Sequence, residues 1–188
     1  MKTTNVAFLL DNTGSMHSIK DDVIGGFNGF LENQKTGKNK ISFSMATFNS
    51  GEYKSLYKNV DIGKVKKLTE KSYQPGNMTP LLDSMAKLIG EVDKRKKEVL
   101  FVVYTDGYEN DSREMTNKNL KKIVKAKEKL GWEFLFLGAD IDAFGAAGMM
   151  GIKRGIKVDK GATHRNLAFE MSNSINVYAQ SGKVKYGM

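Results

Sequence analysis

Three stretches of the chain are almost entirely apolar, and each of them ends at a polar turn. They are 6–10, 99–104 and 132–138. Apolar runs without alternation are typical of strands that are buried on both faces, as in a parallel sheet covered by helices. The three stretches therefore predict the central strands of an α/β protein.

A different pattern predicts a hairpin. Apolar and polar positions alternate over 41–48, and after the turn residues 49–51 they alternate again over the more polar segment 53–58. Alternation of this kind indicates strands with two unlike faces. Because the second segment is the more polar one, we expect it to lie at an edge of the sheet.

Helices are predicted between the strands. Apolar residues recur at intervals of three and four in 16–31, 81–92, 120–130 and 167–178. This order predicts a doubly wound, mostly parallel sheet with one antiparallel edge strand and helices on both faces, a Rossmann-like α/β fold. Shorter elements are predicted as a helical turn within 61–71, a tightly packed helix over 141–151 and a last strand over 156–158.

The composition is that of an ordinary globular protein. Of 188 residues, 40% are hydrophobic and 27% are charged. We expect one domain over 1–188, with a core over about 5–178 and a loosely ordered tail over 181–188. No apolar stretch approaches the roughly 18 residues of a membrane span, and the first apolar run is too short for a signal peptide. We therefore expect a cytoplasmic protein without membrane contact. The lack of Cys agrees with a reducing compartment and excludes thiol chemistry.

The chain carries a formal charge of +9, which favours acidic partners, whether protein or nucleic acid. Its densest basic cluster lies on one predicted helix, for which Thr116 is a candidate N-cap, and consists of Lys118, Lys121, Lys122, Lys125, Lys127 and Lys129. Apolar residues recur between these lysines at helical spacing, and no aromatic residues interleave with them. The pattern favours the solvated face of an amphipathic helix over a nucleic-acid groove.

The first apolar strand ends at Asp11, which we expect to be the first residue outside the core. Side chains alternate along an extended chain, so Asp11, Thr13 and Ser15 would point the same way if the strand geometry continues briefly. They offer one carboxylate and two hydroxyls. Gly14 then gives the chain room to turn into the first helix.

The segment 11–15, Asp-Asn-Thr-Gly-Ser, resembles the metal-ion-dependent adhesion site (MIDAS) of von Willebrand factor A domains, in particular small stand-alone domains of bacterial or phage type. That motif is usually Asp-x-Ser-x-Ser, so Thr13 replaces a Ser and keeps the hydroxyl. The family takes a further Thr and a further Asp from two later loops. Thr79 and Asp106, which follows the strand 99–104, stand at the expected places. Thr79 is also a candidate helix N-cap, with Pro80 at the first helical position.

The resemblance covers most of the chain and implies a role for each of these side chains. Thr13 and Ser15 would bind a metal ion through their hydroxyls, Thr79 directly or through water, and Asp11 and Asp106 mostly through water. Oxygen ligands with retained waters suit Mg²⁺ or Mn²⁺, with Ca²⁺ possible, and argue against zinc or copper.

In such a site a partner protein supplies an Asp or Glu carboxylate to the ion. The resemblance thus implies a divalent-metal-dependent protein-binding module. We predict a partner-binding rim from residues adjacent to the ligands in sequence, namely Asn12, Met16, His17, Tyr73, Met78, Tyr108 and Glu109. We expect a monomer because no helix shows a second apolar stripe.

Two other functions have partial support in the sequence. The segment after the first strand is superficially similar to the Asp-x-Asp-x-Thr motif of haloacid dehalogenase phosphatases, but position 13 is Thr, so the general acid is missing. No P-loop motif occurs, and the isolated His17 and His164 do not complete a Ser-His-Asp group. We therefore expect no catalysis. Nucleic-acid or ribonucleoprotein binding through the basic surface stays open as the alternative.

Overall fold

The computed structural model describes residues 3–92, 96–139, 141–158 and 163–182, with side chains throughout except at 163–166. The predicted tail lies outside the described residues from position 183 onward, and so does the side chain of His164. Within these ranges, no helix has both the length and the hydrophobicity needed to cross a bilayer.

The described ranges contain six strands and five α-helices. The strands are β1 Thr3–Asp11, β2 Lys40–Phe48, β3 Tyr53–Asp61, β4 Leu100–Thr105, β5 Glu133–Ala139 and β6 Gly155–Val158. The helices are α1 Lys20–Thr36, α2 Leu81–Glu91, α3 Asn117–Glu128, α4 Ala143–Met149 and α5 Thr163–Ser181. Short 3-10 helices occupy Gly14–Ile19 and Ile62–Lys64.

The strands form one sheet in the order β3-β2-β1-β4-β5-β6. All neighbouring strands are parallel except β2 and β3, which form the predicted antiparallel hairpin with β3 at the edge. The predicted fold class is confirmed. The strand order reverses between the neighbouring strands β1 and β4. In open α/β sheets, ligands bind in the crevice beyond the carboxyl ends of the strands at such a point.

Helices cover both faces of the sheet, which explains why the central strands are apolar without alternation. Along β1, Phe8 and Leu10 pack with the apolar side chains of α1 and α5. The intervening Ala7 and Leu9 pack with those of α2, α3 and α4. Every position of the strand centre is therefore buried, and a polar side chain appears only where the strand reaches the edge of the sheet.

Aromatic side chains fill the centre of the face covered by α1 and α5. The ring of Phe8 stacks on Phe27 with centroids 5.9 Å apart, and Phe43 lies 6.5 Å from Phe8 and 6.4 Å from Phe27. On the other face Trp132 stacks on Phe134 at 6.1 Å. The contacts among Phe8, Phe27 and Phe43 hold β1, β2 and α1 together, so they fix the elements that flank the end of β1.

The helical turn predicted within 61–71 is present as the 3-10 helix Ile62–Lys64. The prediction for 141–151 was wrong in part. The segment 141–151 does form α4, but the helix is not packed all round, because Phe144 is 71% exposed and Met149 is 56% exposed. Close approach of two backbones explains the orientation: a Cβ added to Gly155 would lie 2.3 Å from the carbonyl oxygen of Ala143, so the alanine side of α4 faces the sheet.

We expect Phe8→Ala to lower the free energy of unfolding by about 3–5 kcal/mol, because it removes a fully buried ring between two others. The matched control is Phe169→Ala on α5, where the ring is 62% exposed, and its cost should stay within about 0.5 kcal/mol. Urea unfolding of both variants measures the difference. Equal costs would contradict the described core.

Candidate metal site

Asp11 is the last residue of β1, and its side chain is fully buried. The expectation that Asp11 is the first residue outside the core was therefore wrong. Both carboxylate oxygens accept hydrogen bonds: the backbone N–H of Thr13 donates to Oδ1 at 2.7 Å, and the hydroxyl of Thr105 donates to Oδ2. Thr105, at the end of the neighbouring strand β4, was not predicted as a site residue, although its place directly before Asp106 was a usable signal.

The hydroxyls of Thr13 and Ser15 lie 3.3 Å apart. They converge as predicted, but the strand geometry does not continue past Thr13, since Ser15 already belongs to the 3-10 helix Gly14–Ile19. The Ser15 hydroxyl donates a 2.6 Å hydrogen bond to Oδ1 of Asp106 in the loop after β4. This bond joins the end of β1 to the end of β4.

Thr79 is buried two positions before the first residue of α2, and its hydroxyl lies near that of Ser15. A Cβ added to Gly107 would lie 3.4 Å from Ser15 Oγ and 3.5 Å from Thr79 Oγ1, so the two hydroxyls flank the glycine. The prediction that Thr79 caps the helix was wrong. The N-cap residue of α2 is Pro80, and the side chain of Thr79 turns toward the site instead.

The loop that carries Thr79 is tied to the end of β1 by hydrogen bonds. The hydroxyl of Tyr73 donates to the carbonyl oxygen of Asp11 at 2.6 Å. The backbone N–H of Gly76 donates to the carbonyl of Asn12, and that of Gly14 donates to the carbonyl of Asn77, both at 2.9 Å. Loop and strand end are therefore held in register before any ligand binds.

The loop after β4 holds Thr79 from the other side. Oδ1 of Asn110 accepts from the backbone N–H of Thr79 at 2.8 Å, and the backbone N–H of Asn110 donates to the carbonyl of Thr79 at 3.2 Å. Oε2 of Glu109 accepts from the backbone N–H of Leu82 at 2.9 Å. Glu109 thus satisfies the first turn of α2, the role that the sequence suggested for Thr79.

Burial raises the pKa of Asp11 from its ordinary 3.8 to about 6, and the nearby negative charge of Asp106 adds to the rise. The hydrogen bonds from Thr105 and Thr13 oppose it only in part. Burial likewise raises the pKa of the Tyr73 hydroxyl well above its usual range, so Tyr73 stays neutral and donates its proton to the strand end. A cation between the two carboxylates would reverse the unfavourable electrostatics at Asp11.

The predicted rim divides into exposed and buried residues. His17 is exposed, Met78 is 50% exposed and Tyr108 is 52% exposed. Met16 and Tyr73 are completely buried, so their assignment to the rim was wrong. Both side chains belong to the core under α1, where an apolar residue close to a ligand in sequence gains more from burial than from exposure.

Asn12 and Glu109 do not fit a simple rim either. Asn12 is half-buried, and its Oδ1 atom is buried without a hydrogen-bond partner among the described residues. The carboxylate of Glu109 accepts from the backbone N–H groups of Leu82, Asp111 and Ser112. Glu109 is thereby engaged in holding the loop rather than turned toward a partner.

The donor set fits a hard divalent cation. It combines the carboxylates of Asp11 and Asp106 with the hydroxyls of Thr13, Ser15 and Thr79, all oxygen. Within the described ranges, no three His, Cys, Asp or Glu side chains cluster in a way that could hold a metal. A site here therefore depends on hydroxyls as well as acids, which is the composition that the motif predicts.

No protein-family model matches the sequence, and no curated protein sequence matches it. Solved structures do match. Proximal thread matrix protein 1 (PTMP1) from the mussel byssus matches with a TM-score of 0.67 at 13% identity, over 94% of this chain and 46% of that chain. A von Willebrand factor type A structure from Catenulispora acidiphila matches with a TM-score of 0.62 at 10% identity, over 93% of this chain and 43% of that chain. The chain has the von Willebrand factor A fold.

The resemblance inferred from the motif is thereby confirmed at the level of the fold. The chain spans less than half the length of PTMP1 and of the Catenulispora chain. Two matching structures hold a metal. One is PTMP1 with a zinc-occupied MIDAS motif, which matches with a TM-score of 0.65 at 14% identity, over 94% of this chain and 46% of that chain. The other is manganese-loaded TRAP from Plasmodium vivax, which matches with a TM-score of 0.58 at 15% identity, over 84% of this chain and 68% of that chain.

In metal-free protein, we expect Asp11→Asn to remove a pH-dependent loss of stability. The pKa of Asp11 is raised from 3.8 to about 6 in the folded state, so its contribution to folding is complete below pH 3.8 and is lost as the pH rises through 6. The loss amounts to at most about 3 kcal/mol. Urea unfolding should therefore show that the free energy of unfolding of Asp11→Asn, relative to wild type, increases between about pH 4 and about pH 7.5. A difference between the two proteins that is constant with pH would contradict this.

Proposed function

We propose that this chain is a divalent-metal-dependent protein-binding module that captures an Asp or Glu side chain of a partner protein. The observation that carries the proposal is the meeting of oxygen donors from three separate loops at the carboxyl edge of the sheet. Ser15 Oγ lies 2.6 Å from Asp106 Oδ1 and 3.3 Å from Thr13 Oγ1, and with Thr79 it flanks Gly107.

Each of these residues has a defined part in the proposed site. The hydroxyls of Thr13, Ser15 and Thr79 and the carboxylate of Asp106 would hold the cation, with Asp11 buried behind them. When bound, a divalent cation would supply a coordination position for a carboxylate of the partner. Of the two carboxylates, only that of Asp106 would lie among the donors, so its single negative charge would offset half of the ion's charge and the site would favour a further acid. The fixed hydrogen bonds of Asp11 keep Thr13 in place and so pre-organise the donors.

Metal ions in two similar structures support a metal at this position. PTMP1 carries zinc in its MIDAS motif and TRAP carries manganese. We propose Mg²⁺ or Mn²⁺ because the donors are all hard oxygens. The zinc-occupied PTMP1 site means that the sequence-based argument against zinc does not hold for every site on this fold, so zinc belongs in the experiment.

We propose binding rather than catalysis. Asp11, the residue that would serve as nucleophile in a phosphatase, is fully buried, and both of its carboxylate oxygens accept hydrogen bonds from Thr13 and Thr105. A nucleophile needs a free oxygen in contact with its substrate. The buried carboxylate is better suited to orienting the hydroxyls around it.

The lysine-rich helix α3 supports a solvated face more than a nucleic-acid groove. Leu120 and Val124 are buried against the sheet, and the Lys127 ammonium lies 4.6 Å from the centre of the Trp132 ring. The remaining lysines of the cluster are exposed, as in an ordinary amphipathic helix. Nucleic-acid binding through this helix would weaken steeply with salt and would be insensitive to chelators.

We expect Mg²⁺, Mn²⁺ or Zn²⁺ to stabilise the protein, with about 2.7 kcal/mol gained at 100 times the dissociation constant. Thr79→Ala and Asp106→Ala should lose most of this gain because each removes a donor. The matched control is Thr116→Ala, which removes the N-cap of α3 and should keep the metal response. Thermal unfolding with added metal or EDTA measures it. A wild-type protein that responds to none of the three ions would overturn the proposal.

We expect the exposed Met78 and Tyr108, which adjoin the ligands Thr79 and Asp106 in sequence, to contribute to partner binding. Peptides selected from a random displayed library on Mn²⁺-loaded protein and eluted with EDTA should contain Asp or Glu. Met78→Ser and Tyr108→Ser should each weaken a selected peptide about tenfold or more while keeping the metal response. Phe169→Ser, which removes an exposed ring on α5, is the control. Selected peptides that lack acids, or that bind the rim variants as well as wild type, would contradict the assignment.

A further inference from the structure

We infer that Asn110 is a positioning residue for the metal site: it holds Thr79 at the distance from Asp106 that a small cation requires. The inference rests on the proposed metal-binding function. It assigns the affinity and the size selectivity of the site in part to a residue that is not itself a predicted ligand.

Asn110 contacts the backbone of Thr79 on both sides. Its side-chain Oδ1 accepts from the N–H of Thr79 at 2.8 Å, and its own N–H donates to the carbonyl of Thr79 at 3.2 Å. The two bonds close a ring around one residue. They fix the position of the Thr79 peptide, and with it the direction in which the hydroxyl points.

Thr79 needs such support because it lies outside regular structure. The N-cap residue Pro80 has φ −80° and ψ 64°, and the first hydrogen bond of α2 is the one from the N–H of Ser84 to the carbonyl of Pro80. The peptide of Thr79 therefore takes no part in the helix. Met78, on its other side, is bound to Ser50 through both its N–H and its carbonyl.

The loop that carries Asn110 is itself anchored. The carboxylate of Glu109 accepts from the N–H of Leu82 at 2.9 Å and from the N–H of Ser112 at 2.6 Å. The carboxylate of Asp83 accepts from the N–H groups of Arg113 and Met115 at 2.8 and 2.7 Å. Asp106 lies in the same loop, so the segment that provides this acid also determines where Thr79 stands.

The ratio of the Mg²⁺ affinity to the Ca²⁺ affinity distinguishes a positioning role from a purely structural one. Mg²⁺ requires near-ideal octahedral geometry at about 2.0–2.1 Å, whereas Ca²⁺ accepts longer and more irregular ligand sets. A displaced Thr79 hydroxyl should therefore weaken Mg²⁺ more than Ca²⁺. A general loss of stability would lower the unfolding temperature of the metal-free protein and leave the ratio of the two affinities unchanged.

The test compares Asn110→Ala with wild type by calorimetric titration with Mg²⁺ and with Ca²⁺. We expect the Mg²⁺ affinity to fall about tenfold and the Ca²⁺ affinity to fall less. Ser112→Ala is the matched control from the same loop. It removes a hydroxyl that accepts from the N–H of Asp83 in α2 and donates to Oε2 of Glu109, and that does not contact Thr79. It should leave both affinities within about twofold of wild type.

Asn110→Asp keeps the Oδ1 acceptor for the N–H of Thr79, so it should restore the wild-type ratio of Mg²⁺ to Ca²⁺ affinity even if its added charge raises both. The inference is overturned if Asn110→Ala keeps wild-type affinities, if it weakens both ions equally, or if Asn110→Asp does not restore the ratio. A wild-type protein that binds no divalent ion overturns the proposed function instead, so the two failures are distinguishable.

Discussion

A buried carboxylate at the end of a central strand governs the organisation of this site. Asp11 lies at the last position of β1, and both of its carboxylate oxygens accept hydrogen bonds, one from the backbone N–H of Thr13 and one from the hydroxyl of Thr105 of β4. Burial raises the pKa of Asp11 to about 6, with the charge of Asp106 adding to the rise. A buried acid at this position destabilises the metal-free protein. Acids with perturbed pKa values of this kind are concentrated at functional sites.

Hydrogen bonds connect the loops that surround that carboxylate. Tyr73 holds the carbonyl of Asp11, Ser15 reaches Asp106, and Asn110 holds the peptide of Thr79. Each hydrogen bond joins segments that are far apart in sequence, and together they connect the ends of β1 and β4 with the start of α2. Donors held in this way need little rearrangement to receive a ligand, which is the physical basis for treating the site as pre-formed.

Much of the fold and part of the site could be predicted from local patterns. Apolar runs without alternation identified β1, β4 and β5, and the polar, alternating segment identified the edge strand β3. Parallel strands bring their carboxyl ends to one edge, so the acids at the end of β1 and after β4 were expected to meet there. The burial of Met16 could have been predicted, because it begins the apolar stripe of 16–31. The pattern could not predict that Tyr73 turns inward or that Phe144 turns outward, because helical or loop position alone does not state which neighbour a side chain will meet.

The sequence by itself determined the element order, the burial of the strands and the chemistry of the donors, because periodicity and residue type are local properties of the chain. The tertiary structure alone decided how those donors are supported. Glu109 caps α2 across 27 positions, Asn110 binds Thr79 across 31, and Tyr73 reaches Asp11 across 62. Such contacts depend on the path of two loops at once, and no short window of sequence contains both partners.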